Sequence, residues 1–307
     1  MEPLQPSPLG LKNHSPWSNL HTVGISLINS CAHAGFFDWA AHSPRRRPFK
    51  LLGRRRARQA PSSTPPKYIR RLFIWGVIGI NTAVTIAWAR AVDEAHAAAL
   101  WPGLWRARGG SSIIIMPSLD KMVRHFSLSA GGLREGRWWT VLTSSFSHAA
   151  PAHLLANMCG FYMWASRCFD LGLGLGNVAT LMLGSSVCGG FAWLAGGPAG
   201  GPVAYVGASD AVCGLMAAAV LLEPVMAFDV PRIGEFYYTL FVPVLLGCAT
   251  DVFGTVSQRH GLTKPSLGKP VLSGVQNEFI GHAAHLGGTA FGVAYWLWSL
   301  RPRYGTW

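Results

Sequence analysis

The stretch LFIWGVIGINTAVTIAWA, from Leu72 to Ala89, contains no charged residue and only three polar ones. A helix needs about 20 predominantly apolar residues to cross the hydrocarbon core of a bilayer. The stretch therefore predicts a transmembrane helix and places the chain among the membrane proteins.

Five further apolar segments follow along the chain. Their approximate bounds are residues 152–168, 178–195, 207–223, 236–253 and 279–300. The first and third of these five are short and interrupted by polar residues, which membranes tolerate mainly where the side chain faces the bundle interior or water. We therefore predict an all-α, polytopic membrane protein. Six helices form one bundle over residues 71–301, with a long outer loop after the first helix and a short tail over 302–307.

The composition agrees with a membrane protein. Of 307 residues, 50% are hydrophobic and 13% are charged, whereas soluble domains carry roughly a quarter charged residues. The 36 glycines and 13 tryptophans fit as well, because glycine is frequent in membrane helices and tryptophan gathers at membrane interfaces. The six cysteines form no CxxC pair, which favours small buried apolar residues over disulfides or metal ligands.

The net charge of +13 is concentrated at the N-terminus, where residues 1–71 hold twelve Lys and Arg against two acidic residues. The run SPRRRPFKLLGRRRARQ directly precedes the first helix. Positive flanks mark the side of a helix that stays inside, so we interpret the run as a topology signal and not as a nucleic-acid site. Binding of anionic lipid is compatible with the same run.

Residues 1–70 are rich in Ser and Arg and poor in acidic residues, which is typical of a mitochondrial transit peptide. We expect a disordered targeting and topology segment. With this segment inside, alternate crossings place the end of the sixth helix inside too, beside Arg301 and Arg303. A secretory-pathway membrane is the alternative location.

Polar residues recur at the starts of the second, fourth and sixth helices, which the alternation places on the outer side. They are His153 and Asn157, then Ser209, then His282 and His285. All five are expected at a similar depth in the membrane.

These residue types suit nucleophilic catalysis. A serine hydroxyl is a weak nucleophile until a base such as neutral histidine accepts its proton. A serine at a helix N-terminus also lies near unpaired backbone N–H groups that can hold an oxyanion. His153 and Asn157 share one helix face and could add donors. A Ser–base pair needs no carboxylate, and we interpret Asp251 as a residue at the outer edge of the fifth helix.

Each residue alone has a simpler explanation. A serine in a Gly- and Ala-rich span usually lets helices approach closely, and we interpret Gly288 and Gly292 as a GxxxG packing pair. The agreement in depth between three separate helices favours catalysis over packing for Ser209.

The motifs HLLANM (His153–Met158), GAS (Gly207–Ser209) and AHLGGTAFG (Ala284–Gly292) together resemble those of the rhomboid intramembrane serine proteases. They occur in the family's order and on its second, fourth and sixth core helices. The stretches MPSLDKMVRHFSLSA and SSFSHAAPAHLLANM resemble the mitochondrial, presenilin-associated branch. The resemblance covers about residues 72–300.

The resemblance implies a serine-type endopeptidase with a dyad of Ser209 and His285. His153 and Asn157 are implied as oxyanion donors beside the Ser209 backbone N–H. Transmembrane protein substrates would be cut near the outer end of a helix, within membrane lipid and without metal, cofactor or nucleic acid. The branch implies the mitochondrial inner membrane, with the N-terminus in the matrix.

Asp210 departs from the family pattern, which has glycine after the Ser motif. An aspartate in the first turn is favoured by the helix dipole and can cap N–H groups. It also adds bulk and charge beside the nucleophile, and its carboxylate could bond His285 or compete for the oxyanion donors. The chain is therefore expected to be a slower protease or, alternatively, a pseudoprotease that binds membrane clients. A transporter or channel would need inverted repeats and paired core charges, which the sequence lacks.

Overall fold

The computed structural model describes residues 64–100, 118–148, 150–197, 204–230, 234–239, 241–260 and 281–304. The predicted targeting segment therefore lies almost entirely outside the described residues, as does part of the first outer loop.

The described residues form ten α-helices and two strands. The long helices are α1 (Lys67–Leu100), α5 (Pro151–Asp170), α6 (Leu175–Gly196), α7 (Ser209–Leu222), α8 (Phe241–Arg259) and α9 (His282–Tyr295). The short helices are α2 (Leu119–Phe126), α3 (Ala130–Arg134), α4 (Thr140–Thr143) and α10 (Arg301–Tyr304). A 3₁₀ turn at Ser144–Phe146 follows α4, and a π-helix at Trp296–Leu300 joins α9 to α10.

The six long helices occupy the six apolar segments of the sequence. Two of them are long and apolar enough by themselves to cross a membrane: α1 over Lys67–Glu94, with mean hydropathy 1.7, and α6, with mean hydropathy 1.6. Helix α7 is apolar but shorter. Six crossings therefore stay a prediction. Helix α1 also continues to Leu100 instead of ending near Ala89, because the following RAVDEAHAAAL is rich in alanine, the strongest helix former.

A two-stranded antiparallel hairpin is the exception to the predicted helical fold. Strand β1 (Val225–Val230) pairs with β2 (Gly234–Thr239), with Val225 opposite Thr239. The expected start of the fifth helix near Phe236 is therefore wrong, and α8 begins at Phe241. The run FYYT that ends β2 is aromatic and β-branched, which favours a strand.

Helix α9 packs against α6, α7 and α8. Its GxxxG face meets the α7 backbone directly. A methyl group at Gly288 would overlap the carbonyl of Asp210, and one at Gly292 would overlap the carbonyl of Gly214. Close backbone approach of this kind is how small residues bring membrane helices together.

The core and the outer faces divide as expected for a membrane bundle. Fully buried side chains of α5, α6, α7 and the C-terminal π-helix include Phe161, Leu181, Leu215 and Leu300. By contrast, α8 exposes large apolar side chains. These are Val242, Leu245, Leu246, Val252, Phe253 and Val256. So large an apolar face is rare on a soluble monomer and suits contact with lipid.

The segment between α1 and α5 is hydrogen-bonded to the segment that leads into α7. Leu128 and Tyr205 exchange two backbone hydrogen bonds, at 3.0 and 2.8 Å. The Gly207 N–H donates to the Ser144 carbonyl at 3.0 Å. These bonds fix the position of the chain immediately before Ser209.

Candidate active site

Ser209 and His285 are brought together by the packing of α7 against α9. Ser209 is the first residue of α7, and His285 lies in the first turn of α9. Their side chains are in hydrogen-bond contact, with 2.8 Å between Ser209 Oγ and His285 Nε2. This distance lies within the range required of a nucleophile and its base.

Gly207 closes the site on the side of α5. Its φ is +133°, a conformation that residues with a side chain rarely adopt. A methyl group there would lie 2.9 Å from His153 Cε1 and 3.1 Å from His153 Nε2. The glycine of the GAS motif is thus required both by the backbone and by the imidazole against it.

His153 and Asn157 of α5 both lie beside Gly207, which precedes Ser209 by two residues. Asn157 is buried, and its Nδ2 has no hydrogen-bond partner among the described residues. The same Nδ2 is 3.7 Å from where a Gly207 methyl group would stand. A buried donor left unpaired costs about 1–3 kcal/mol, so this amide is placed to gain from an acceptor that arrives with a ligand.

Asp251 of α8 contacts the other nitrogen of the His285 ring, although the sequence suggests no partner for it. Its Oδ1 lies 3.1 Å from His285 Nδ1 and 2.7 Å from His282 Nδ1. A carboxylate inside an apolar segment was the available signal, because such a group usually pairs within the protein. The pairing of α8 with α9 could not be inferred from the sequence pattern.

His148 is a second residue that the sequence argument missed. It is buried just before α5, and its ring centroid is 5.1 Å from that of His153. Burial, and secondly the charge that His153 can carry, lower the pKa of the His148 ring to about 3. The ring is therefore neutral at physiological pH. In the sequence, the only local indication of this contact is that His148 stands five residues before His153, in SSFSHAAPAH.

Asp210 points towards α6. Its side chain is fully buried, and its Oδ1 accepts a hydrogen bond of 2.7 Å from the Ala211 N–H. The described hydrogen bonds of the His285 ring go to Ser209 and Asp251 instead. The arrangement in which Asp210 bonds His285 is therefore absent from the described part of the chain.

The aromatic pair of the first outer loop faces outward. Trp138 and Trp139 are 62% and 47% exposed, and the Trp139 ring stacks on His125. The preceding Arg137 forms an ion pair with Glu135. Exposed tryptophans with charged neighbours are typical of a membrane interface.

The arrangement as a whole suits acyl transfer. It combines a nucleophile, a hydrogen-bonded base, a carboxylate on the far side of the base and donors near the attack point. A metal ion could also be held here, because the side chains of Asp251, His282 and His285 offer ligand atoms within 4.8 Å of one another.

Comparison with known proteins places these residues in a family. Residues 135–302, more than half of the chain, match the family model of the Rhomboid domain. A stretch of 45 residues is 47% identical to an uncharacterized mitochondrial rhomboid protein of Schizosaccharomyces pombe. That match covers 15% of this chain and 12% of the yeast protein. On the strength of the domain match, this chain is a membrane protein of the rhomboid family.

Proposed function

We propose that the protein is an intramembrane serine protease in which Ser209 is the nucleophile and His285 is the base. Membership of the family is compatible with either a protease or a pseudoprotease. The observation that carries the proposal is the 2.8 Å contact between Ser209 Oγ and His285 Nε2 at the start of α7.

The reaction would proceed through an acyl-enzyme. His285 Nε2 accepts the Ser209 proton while Oγ attacks the carbonyl carbon of the scissile peptide bond. The C–N bond then breaks, and the imidazolium returns the proton to the leaving amine. Water, activated by the same nitrogen, hydrolyses the ester and releases Ser209.

The oxyanion of the tetrahedral intermediate would be held by three donors. These are the Ser209 backbone N–H at the helix N-terminus, the His153 ring and the Asn157 amide. The unpaired Nδ2 of Asn157 supports this role, because the amide would gain a bond when charge develops on the substrate oxygen.

Asp251 is proposed as a positioning residue for the base. When His285 Nδ1–H donates to the carboxylate, the Nε2 lone pair is left to face Ser209. The 3.1 Å contact with Asp251 therefore adds an orienting group to the Ser–His dyad that the family resemblance implies.

The burial of Asp210 favours the active protease over the pseudoprotease. A carboxylate directed at His285 would compete with the serine, whereas this one is bound to the Ala211 N–H and packed against α6.

The proposed substrates are transmembrane segments of membrane proteins. They would be cut near the side of the membrane opposite to the N-terminus of this protein. We place the protein in the mitochondrial inner membrane with six crossings and its N-terminus in the matrix. The acid-poor N-terminus and the mitochondrial designation of the yeast relative support this location. Protease protection of a C-terminal tag in isolated mitochondria would test it, because six crossings put both ends of the chain in the matrix, and a tag found in secretory membranes would refute it.

Fluorophosphonate labelling of the detergent-solubilised protein tests the proposed chemistry. We expect labelling of the wild type, none with Ser209→Ala, and a severe loss with His285→Ala. His260→Ala is the matched control, because His260 is exposed at the end of α8. Ser209-dependent cleavage of a transmembrane reporter would complete the case. A folded wild type that neither labels nor cleaves would favour the pseudoprotease.

A further inference from the structure

His282 has no task in the proposed reaction, yet it is held beside the base. It is the first residue of α9 and lies three positions before His285, so both rings project from one helix face. Its Nδ1 lies 2.7 Å from the same Asp251 oxygen that His285 contacts. One carboxylate is enough to orient one base, and the second imidazole needs a separate explanation.

The three side chains offer a ligand set. Two imidazole nitrogens and one carboxylate oxygen converge within 4.8 Å of one another. Zn²⁺ is bound by such atoms at about 2.0–2.2 Å, and three protein ligands leave a fourth position for water. Small shifts of the side chains would therefore bring all three ligand atoms onto one ion.

The backbone of α8 is shaped for the His282 ring. Gly254 lies three residues after Asp251, and a methyl group there would overlap the His282 imidazole. The side chains of His282, Asp251 and His285 keep 19%, 16% and 18% of their surface exposed. The cluster is thus preformed, and the protein encloses it only in part.

We propose that Asp251, His282 and His285 form an inhibitory site for a divalent cation of the zinc type. When Nδ1 of neutral His285 binds the ion, its single ring proton moves to Nε2. The Nε2 atom then donates a hydrogen bond and can no longer accept the proton of Ser209. His282 likewise keeps one proton, on its own Nε2, so no other reactant is required.

Binding is tested first, without reference to activity. Zn²⁺ affinity and stoichiometry are measured on the full-length Ser209→Ala protein in detergent, by competition with a chromophoric chelator. Adding His282→Gln should remove one bound equivalent of Zn²⁺ or lower its affinity by more than about tenfold. Loss of an outer-shell partner already lowers metal affinity by about 10–100-fold, so loss of a ligand should cost at least the lower value. Adding His260→Gln, which changes an exposed histidine just after α8, should leave that equivalent in place.

Gly254→Ala provides a variant that keeps every ligand and displaces only the His282 ring. It should also weaken the site, and circular dichroism should show that each variant retains the wild-type helix content. Equal zinc affinity and stoichiometry in the His282→Gln and His260→Gln proteins would overturn the site.

Inhibition rests on the proposed protease function and is read separately. Zn²⁺ should slow fluorophosphonate labelling of the wild type, a chelator should restore it, and His282→Gln should lose the zinc sensitivity. If zinc binds at this site and the rate of labelling does not change, the inhibitory role is wrong. Zinc binding with no labelling even after chelation would leave the site standing and refute the protease instead.

Discussion

Gly189 of α6 faces Asp210 of α7 so closely that a methyl group on the glycine would stand 2.5 Å from the aspartate Cβ. The same methyl group would be 2.8 Å from Asp210 Oδ2. The bulk that Asp210 adds beside the nucleophile is therefore accommodated on the facing helix. The carboxylate is drawn towards α6, and the contact between Ser209 and His285 is left intact.

Gly189→Ala should destabilise the protein because the new methyl group meets Asp210. Overpacking of this kind costs about 1–3 kcal/mol, which should appear as a lower thermal unfolding midpoint in detergent. The loss should be smaller in an Asp210→Gly background, although a 3.0 Å contact with the Ala284 carbonyl would remain. Additive losses in this double-mutant cycle would contradict the packing relationship.

Asp210→Gly should leave the rate of fluorophosphonate labelling unchanged and reduce stability. Glycine in a helix costs roughly a few tenths of a kcal/mol more than aspartate, and the bond from the Ala211 N–H is lost as well. Asp210→Asn is the matched control, because it removes the charge and keeps the shape. A large increase in labelling with either variant would show that the aspartate restrains Ser209.

Asp251→Asn should slow Ser209 labelling, because an amide no longer fixes which His285 nitrogen carries the proton. The labelling rate should fall by at least about tenfold. The same exchange in a Ser–His–Asp protease lowers kcat by about 10⁴. With a transmembrane reporter, kcat should fall while KM stays constant. Asp120→Asn, at an exposed ion pair in α2, is the control. An unchanged kcat would remove Asp251 from the mechanism.

The difference between what the sequence predicts and what it misses follows from the range of the interactions. Apolar runs locate the six long helices approximately, and a local motif marks Ser209. The contact between Asp251 and His285 depends on how α8 packs against α9, and no local periodicity specifies that packing. The hairpin was missed because the apolar run that contains Phe236 fits a strand as well as a helix.

Asp210 illustrates the same limit. From the sequence alone, its carboxylate can cap the helix, compete for the oxyanion donors or bond His285, and the roughly 100° between successive helix residues disfavours the bond to His285. The Asp210 side chain can turn towards α6 because Gly189, which is distant in the chain, has no side chain to occupy that space.

Gly207→Ala should abolish labelling while the bundle stays folded. The new methyl group would require a positive φ from alanine and would push the His153 ring out of the site. Gly76→Ala is the matched control, because nothing lies within 4 Å of a methyl group there. Labelling at the wild-type rate in Gly207→Ala would show that His153 and the turn are not needed in this position.

His148 should make the fold sensitive to acid. Its pKa is lowered to about 3 in the folded protein, first by burial and then by His153, whereas an unfolded histidine titrates near 6.5. Below about pH 6.5 the unfolded chain therefore takes up a proton that the folded chain excludes, and stability falls by at most about 1.4 kcal/mol per pH unit. His148→Phe should flatten the dependence of the unfolding midpoint between pH 6.5 and pH 4. His260→Phe, which changes an exposed histidine, should not, and equal slopes in the wild type and His148→Phe would show that this ring is not the group responsible.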